Sequence, residues 1–296
     1  MNDKGVDITL EEIEIDLLLE AVRRYYGYDF RDYEIGAVRH RIREAMLAAR
    51  IPTISRFQEK ILHNSAFLER FLRSFSGKSL SMFSDPDFYR AFRNRVVPHL
   101  RTYAFVRIWI AGCSTGEEAY SIAILLHEEG LLSRSRLYAT DMSEEVVKQA
   151  RVGSFSSSLS GEFEANYLAA GGKGSIRDYF GKKGRKLVIE PWLKKNMLFS
   201  EHNLATDGSF NEFQVVVCRD VLKGFNHKLK ERVDRLIYDS LSRFGVLALG
   251  STESLDAMPY EESYSLLDEK NRLYQKHGST VIPAFANAET KNAQRC

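Results

Sequence analysis

A short strand that ends in a glycine loop and passes directly into a helix constrains the fold more than any other feature of this chain. Residues 106–110 form a β-rich apolar run, and Gly112 and Gly116 lie in the loop that follows it. A second predicted strand, 136–140, ends in Asp141 and is again followed by a helical pattern. Strand–helix alternation of this kind predicts a mostly parallel sheet with helices on both faces, as in a Rossmann-like α/β domain.

The rest of this predicted domain is less regular. Further strands are expected at 196–200, 213–218 and 244–249. Between about 155 and 195 the alternation gives way to Gly- and Ser-rich pieces, which indicate an inserted subdomain or a lid. We therefore expect the Rossmann-like domain to span 86–283 and to be followed by a polar, flexible tail at 284–296.

The first 85 residues predict a separate, small, all-helical domain. Thr9 and Glu12 form a capping-box pattern at the start of the first helix. A second helix is expected over 34–49, and a third is expected to begin near Thr53 and to continue through the apolar positions up to Leu72. A fourth helix, from residue 86 to about residue 97, leads into the second domain.

The composition sets limits on compartment and partners. A formal charge of +2 over 296 residues gives no bulk attraction to nucleic acid. Cys113, Cys218 and Cys296 have no paired spacing, which favours a reducing compartment over a disulfide framework. No apolar run approaches the roughly 20 residues that a membrane helix requires. We expect a cytoplasmic monomer without nucleic-acid binding, membrane insertion or a metal site.

The acidic residues around the glycine loop favour one class of ligand. Ligands of open α/β sheets bind beyond the carboxyl ends of the strands, which places Gly112 in the expected site. Glu117 and Glu118 open the next helix, where they would repel a pyrophosphate and attract an ammonium or a sulfonium. Asp141 follows the second strand at a spacing that suits hydrogen bonds to ribose hydroxyls. Together these residues favour S-adenosylmethionine.

Other interpretations of the same residues stay open. Glu117 and Glu118 also complement the dipole of their helix, and an aspartate at a strand end is often a turn former or a helix cap. An NAD-dependent oxidoreductase shares the acidic residue after the second strand, but the two glutamates stand where its pyrophosphate would bind.

Four strings of the sequence resemble, in the same order, the signature of the CheR-type chemotaxis receptor methyltransferases. They are RIWIAGCSTGEEAYS at 107–121, YATD at 138–141, HNL at 202–204 and VCRDV at 217–221. The string GYDF at 27–30 and the arginine-bearing helix after it resemble the family's N-terminal helical domain. The similarity extends from about Leu10 to Tyr274, nearly the whole chain.

This resemblance implies a protein-glutamate O-methyltransferase that uses S-adenosylmethionine and releases S-adenosylhomocysteine. The cofactor-binding residues expected from the chemistry and the resemblance together are Gly112, Glu117, Glu118, Asp141, Asn203, Leu204, Arg219 and Asp220. Among them the resemblance assigns Gly112 and Glu118 to the methionine part, Asp141 to the ribose, and Asn203 with Leu204 to the adenine. Arg219 and Asp220 would line the floor near the methionine end.

The same resemblance implies a chemoreceptor or a related signalling protein as the partner. Arg39, Arg41 and Arg43 on the second predicted helix would contact an acidic receptor helix. A solvated helix face is an equal alternative for this cluster.

Two parts of the site depart from the family's pattern. The family normally has Asn, Thr and Arg around a Phe-Arg-Asp-Pro string, and the matching residues here are Lys78, Leu80 and Ser84. Gly224 stands where the family has a tyrosine beside the methyl group, a few residues after Arg219. Ser84, Arg219 and Gly224 are therefore the candidate catalytic positions. Losing an arginine and a tyrosine also motivates an alternative function, a pseudoenzyme that binds S-adenosylmethionine or S-adenosylhomocysteine as a sensor or scaffold.

Overall fold

A bundle of four helices opens the computed structural model, which describes residues 9–76 and 81–277. The helices are α1 (Leu10–Tyr26), α2 (Ile35–Ala49), α3 (Ile54–His63) and α4 (Ser65–Arg73). α1 begins with the predicted capping box: the Thr9 hydroxyl accepts the backbone N–H of Glu12, and the Glu12 carboxylate accepts the N–H of Thr9. The separate helical domain that the sequence predicts is therefore present.

The third predicted helix is two helices. Asn64 has extended backbone angles (φ −145°, ψ 103°), and its side chain accepts the Phe67 N–H as the N-cap of α4. Asparagine side chains bind nearby backbone groups in this way and so compete with continuation of a helix. Ile61 and Leu68, on either side of the break, are both buried. The apolar pattern therefore identifies the core correctly, whereas the prediction of one continuous helix is wrong.

The helix predicted to start at residue 86 is present and extends to residue 100. It consists of α5 (Pro86–Ala91), a π-helical turn (Phe92–Val96) and α6 (Val97–Leu100). The remaining helices are α7 (Glu117–Glu128), α8 (Glu144–Val152), α9 (Ser160–Ala169), α10 (Pro191–Lys194) and α11 (His227–Ser240).

Seven strands form the main sheet in the order β6-β2-β1-β7-β8-β10-β9. The strands of the chain are β1 (Val106–Ala111), β2 (Ser135–Asp141), β3 (Ser154–Ser156), β4 (Phe180–Lys183), β5 (Lys186–Ile189), β6 (Met197–Glu201), β7 (Phe213–Cys218), β8 (Leu241–Leu249), β9 (Tyr264–Asp268) and β10 (Leu273–Lys276). The first five strands in the sheet order run parallel. β10 pairs antiparallel with β8, and β9 pairs antiparallel with β10. The predicted fold class, a Rossmann-like α/β domain with a small helical domain, is confirmed.

β1 separates two cores because successive side chains of a strand point to opposite faces. Ile108 and Ile110 face a core that includes α7. Trp109 faces the other core, which contains α11 and also the helices of the N-terminal domain. This second core is continuous across the two domains, where the rings of Tyr33 and Phe225 pack edge to face with centroids 4.9 Å apart.

The segment predicted as an insert contains a small antiparallel sheet in the order β3-β5-β4, with α9 in the same segment. Two hydrogen bonds anchor it on either side of the predicted domain boundary: Arg90 Nη1 donates to the carbonyl of Ala169 at 2.7 Å, and Asn166 Nδ2 donates to that of Met82 at 3.2 Å. None of residues 154–195 lines the cavity described below.

Some predictions fall on parts of the chain outside the described residues, namely the tail at 284–296 and the positions of Lys78 and Leu80. Within the two described ranges, no helix is both long and apolar enough to cross a membrane.

Asp234 of α11 is a buried carboxylate with a hydrogen bond to only one of its oxygens among the described residues. Its Oδ2 accepts the Tyr260 N–H at 3.1 Å, whereas Oδ1 is buried without a partner. Burial raises the pKa of Asp234 to about 6, and the Tyr260 N–H and Arg235 offset only part of that rise. Because the raised pKa favours the protonated form in the folded state, this group's contribution to stability is full at low pH and is lost as the pH rises through about 6.

Replacing Asp234 with Asn should raise the free energy of unfolding near neutral pH by on the order of 2 kcal/mol, because the amide removes a buried charge and keeps an acceptor for Tyr260. The gain should shrink as the pH falls from about 7.5 toward about 4.5, and urea denaturation at both pH values measures it. Asp239→Asn, on an exposed residue of the same helix, is the matched control and should change little. An equal effect of Asp234→Asn at the two pH values would contradict this account.

Candidate functional site

A cavity of about 560 Å³ lies between the two domains, at the carboxyl ends of the parallel strands. This is the place where ligands of open α/β sheets bind, and the volume is within the range of small-molecule sites. The structure brings nine predicted site residues of the Rossmann-like domain into its lining: Gly112, Glu117, Glu118, Asp141, Asn203, Leu204, Arg219, Asp220 and Gly224. Arg41, from the helical domain, lines it too.

The glycine loop is shaped by contacts within the protein. Gly112 has φ +76°, and a Cβ on it would lie 2.5 Å from Cγ2 of Val221 in the loop after β7. Gly116 has φ +99°, and a Cβ there would lie 3.2 Å from the Cβ of Ala150. Both positions thus require glycine for backbone conformation and for close packing. Because Gly112 has no side chain, the loop after β1 can approach the loop after β7 on one side of the cavity.

Arg219 links three separate segments at the base of the cavity. Its Nη1 donates to Glu118 Oε1 at 2.7 Å, and its Nη2 donates to Asp85 Oδ2 at 2.7 Å. The guanidinium also lies over the ring of Phe88, with 4.0 Å from Cζ to the ring centroid. Burial raises the pKa of Glu118, and the nearby Arg219 opposes that rise. Burial alone would lower the pKa of Arg219, but Glu118, Tyr89 and Asp85 raise it. The Arg219 guanidinium therefore stays charged.

Glu117 and Glu118 occupy the first turn of α7, as the sequence predicts. The Glu117 carboxylate is buried and accepts the hydroxyl of Thr115 on both oxygens, at 2.9 and 2.6 Å. The two side chains are thus oriented by different partners, Glu117 by a hydroxyl and Glu118 by Arg219. Both lie at a helix N-terminus, which also favours their negative charge.

Asp141 ends β2 and is 3% exposed. Its Oδ2 accepts the Ser114 N–H at 3.0 Å, and its Oδ1 accepts the Ser76 hydroxyl at 2.6 Å and the Ser143 N–H at 3.3 Å. Burial raises the pKa of Asp141, although these donors lower it in part. The carboxylate is therefore an oriented acceptor at the rim of the sheet.

Asn203 and Leu204 lie just after β6 and are largely buried in the lining. The Asn203 backbone N–H donates to Asp207 Oδ2 at 2.9 Å, and its side-chain oxygen accepts the Ala205 N–H at 3.0 Å. The neighbouring His202 ring packs edge to face on Trp109, with centroids 5.2 Å apart. This turn is a rigid, partly apolar wall that suits a flat ring.

Glu253 is a site residue that the sequence does not predict. Its Oε2 accepts the backbone N–H groups of Asp220 and Gly250 at 2.9 and 2.8 Å, and its Oε1 accepts that of Leu222 at 2.8 Å. Gly250 leaves the room for this arrangement, since a Cβ on it would lie 2.8 Å from both the Asp220 nitrogen and Glu253 Oε2. The buried carboxylate thereby fixes the loop of Arg219 and Asp220. The only local signal is an acidic residue shortly after a strand end.

Gly224 lies at the joint between the domains. Its carbonyl accepts the Glu34 N–H at 2.9 Å, next to the bridge between Tyr33 and Phe225. A Cβ on Gly224 would lie 3.7 Å from Nη2 of Arg41. The position that the resemblance gives to a tyrosine is therefore beside an arginine of the helical domain.

The three predicted partner-binding arginines have different surroundings in the structure. Arg41 enters the cavity, where Nη1 donates to the carbonyl of Ser74 and the guanidinium lies over the Phe75 ring. Arg39 pairs with Glu12 at 3.1 Å, and Arg43 pairs with Glu11 at 2.8 Å, both on α1. Ser84, a predicted catalytic position, is also outside the cavity lining.

The carboxylates that line the cavity fit a cofactor with positive charge. Glu117, Glu118 and Asp141 would repel an anionic pyrophosphate and attract an ammonium and a sulfonium. Asp141 also offers a carboxylate to ribose hydroxyls. Among residues 9–76 and 81–277, no cluster of three or more His, Cys, Asp or Glu side chains is arranged to hold a metal ion.

Comparison with known proteins agrees with this geometry. Residues 78–270 match the family model described as the CheR methyltransferase, SAM binding domain, and residues 13–76 match the CheR methyltransferase, all-alpha domain. A Pseudomonas putida protein named as a methyltransferase, Cher3, is 41% identical over 90% of this chain and 97% of its own length. The chemotaxis protein methyltransferase of Listeria innocua is 27% identical over 83% of this chain and 92% of its own.

Glu253→Gln should lower the free energy of unfolding by about 1–3 kcal/mol and weaken the binding of S-adenosylhomocysteine, because the amide turns a donor toward backbone N–H groups that need an acceptor. Urea denaturation and titration calorimetry measure the two effects. Glu262→Gln, on an exposed residue of the same region, is the control and should change neither. Wild-type values for both quantities in Glu253→Gln would show that the loop does not depend on this carboxylate.

Proposed function

The chain belongs to the CheR methyltransferase family and contains its S-adenosylmethionine-binding domain, and on that premise we propose that it is a protein-glutamate O-methyltransferase acting on a chemoreceptor or a related signalling protein. The observation that carries the proposal is that acidic side chains of the Rossmann-like domain and a half-buried arginine of the helical domain line one cavity. The Rossmann-like side carries four carboxylates, two of which are paired with Arg219 and Lys223, and the helical side carries Arg41 and Glu44.

The carboxylates and the turn after β6 form the cofactor side. When bound, S-adenosylmethionine supplies a methyl group activated by a sulfonium. Glu117 and Glu118 offer negative charge to the methionine ammonium, and Asp141 accepts from the ribose. Asn203 and Leu204 provide the wall beside the adenine.

Arg219 and Asp220 form the floor of this side. Arg219 holds Glu118 in place through a charge-assisted hydrogen bond, so it acts mainly as a positioning residue. Asp220 is held with φ 61° by the Glu253 carboxylate, and its own carboxylate pairs with Lys223 at 2.5 Å. The floor is thus preorganised before any ligand binds.

Arg41 is the group that would orient the acceptor. Burial lowers the pKa of its guanidinium, and the nearby Tyr33 and Glu44 oppose only part of that shift. Among the described residues, Arg41 forms no ion pair; its contacts are the Ser74 carbonyl and the Phe75 ring. A glutamate of the protein substrate is ionised near pH 7, so it can supply the missing partner and can attack the methyl group without a general base. The protein then contributes to the rate in two ways: Arg41 aligns the substrate glutamate, and the electrostatic field of the cavity carboxylates acts on the reacting charges.

A protein that binds the cofactor without methyl transfer is the second candidate. Two observations favour it: Ser84 lies outside the cavity lining, and Gly224 offers no side chain beside the reacting centre. Such a protein would act as a sensor of S-adenosylmethionine or S-adenosylhomocysteine.

Incubation with S-adenosylmethionine labelled on the methyl group should transfer base-labile label to the cytoplasmic domain of a chemoreceptor. Arg41→Gln should reduce kcat/KM for this transfer by about tenfold or more, because a charge-assisted contact to the acceptor is lost. Its affinity for S-adenosylhomocysteine, measured by calorimetry, should stay close to that of the wild type.

Arg24→Gln is the matched control for this experiment, since Arg24 is an exposed arginine of α1 that pairs with Glu20. It should transfer methyl groups at the wild-type rate. The wild type could bind the cofactor and still leave no label above background on any receptor domain. That result would reject the methyltransferase proposal and support the second candidate.

A further inference from the structure

The Asp141 carboxylate receives hydrogen bonds from both domains. The backbone N–H groups of Ser114, Ser143 and Met142 act on it from the Rossmann-like domain. The hydroxyl of Ser76, at the end of the helical domain, donates to Oδ1 at 2.6 Å, which is shorter than the Asp141 hydrogen bonds from Ser114 and Ser143. Ser76 also lines the cavity.

These donors leave the carboxylate little further capacity. An ionised carboxylate offers about four acceptor positions, and four donors of the protein already act on this one. Three of them are backbone groups, one in the glycine loop after β1 and two between the end of β2 and the start of α8. The Ser76 hydroxyl is a side-chain donor on a half-buried residue, so rotation about one bond releases it. A new donor can reach Asp141 most easily by replacing Ser76.

We propose that the Ser76 hydroxyl occupies the acceptor position on Asp141 that a cofactor ribose hydroxyl takes, so that S-adenosylmethionine binds in competition with a side chain of the helical domain. This inference rests on the proposed placement of the ribose at Asp141. Ser76 is then a residue that sets cofactor affinity from the neighbouring domain. Its hydroxyl keeps the buried carboxylate satisfied when the cofactor leaves.

Ser76→Ala removes the competing donor and leaves the three backbone donors in place. We expect it to bind S-adenosylhomocysteine about fivefold more tightly than the wild type in titration calorimetry, because the ribose no longer displaces a hydrogen bond to a charged acceptor. Ser76→Thr keeps the hydroxyl and should bind with nearly wild-type affinity. Ser158→Ala, on an exposed serine of the insert, is the control for general effects of the substitution.

Unchanged or weaker binding by Ser76→Ala would overturn the inference, since the hydroxyl would then be neutral or would support the ribose. If Ser76→Ala binds more tightly but no methyl transfer is detected, the proposed reaction is rejected and this inference is retained. Absence of binding by the wild type would overturn the cofactor placement and this inference together.

Discussion

The buried guanidinium of Arg219 is the interaction on which the geometry of the cavity depends. Its partners Glu118 and Asp85 are 101 and 134 residues away in the sequence, so one side chain ties together the loop after β7, the start of α7 and the segment before α5. Removing one member of a buried ion pair typically costs about 3–5 kcal/mol, because the remaining charge is left uncompensated. Asp85 and Asp220 both have φ 61°. Backbone strain of this kind persists only where the surroundings determine it, and here the surroundings are the contacts of Arg219 and Glu253.

The cavity belongs to neither domain alone. The Glu34 N–H donates to the carbonyl of Gly224, and the Asn226 N–H donates to that of Asp32 at 3.0 Å, so the chain before α2 is joined to the chain before α11 by backbone bonds. The end of the helical domain makes two further contacts in the cavity: the carbonyl of Ser74 accepts a hydrogen bond from Arg41, and the Ser76 hydroxyl donates to Asp141. Ser74, Phe75 and Ser76 are three consecutive residues of the helical domain; the first two contact Arg41 and the third contacts Asp141. Any shift in how the domains dock must change both sets of contacts.

Local patterns in the sequence predict the part of this arrangement that local physics determines. A β-rich run followed by a glycine loop and an acidic helix start places Gly112, Glu117 and Glu118 at the mouth of a parallel sheet, and the acidic end of the next strand adds Asp141. What the local patterns do not show depends on contacts between distant residues. The arginines of α2 look alike in sequence, yet Arg39 and Arg43 pair with glutamates of α1 and only Arg41 enters the cavity. Glu253 has only a weak local signal, its place shortly after a strand end, and Ser76 has none. Glu253 acts on backbone groups about 30 residues away, and Ser76 acts on a carboxylate 65 residues away. The break at Asn64 is missed for a different reason, since the apolar period continues through it.

The departure from the family's pattern at Gly224 lies beside Arg41 of the helical domain. A Cβ at position 224 would lie 3.7 Å from Nη2 of Arg41, so a tyrosine there would begin in contact with that guanidinium. Glycine places no side chain beside it, and the Gly224 carbonyl accepts the Glu34 N–H. The arginine that the family's pattern has at position 84 is absent here, and Arg41 of α2 lines the cavity. Under the proposed function, Arg41 would supply the charge that holds an acceptor carboxylate, beside a position where residue 224 has no side chain.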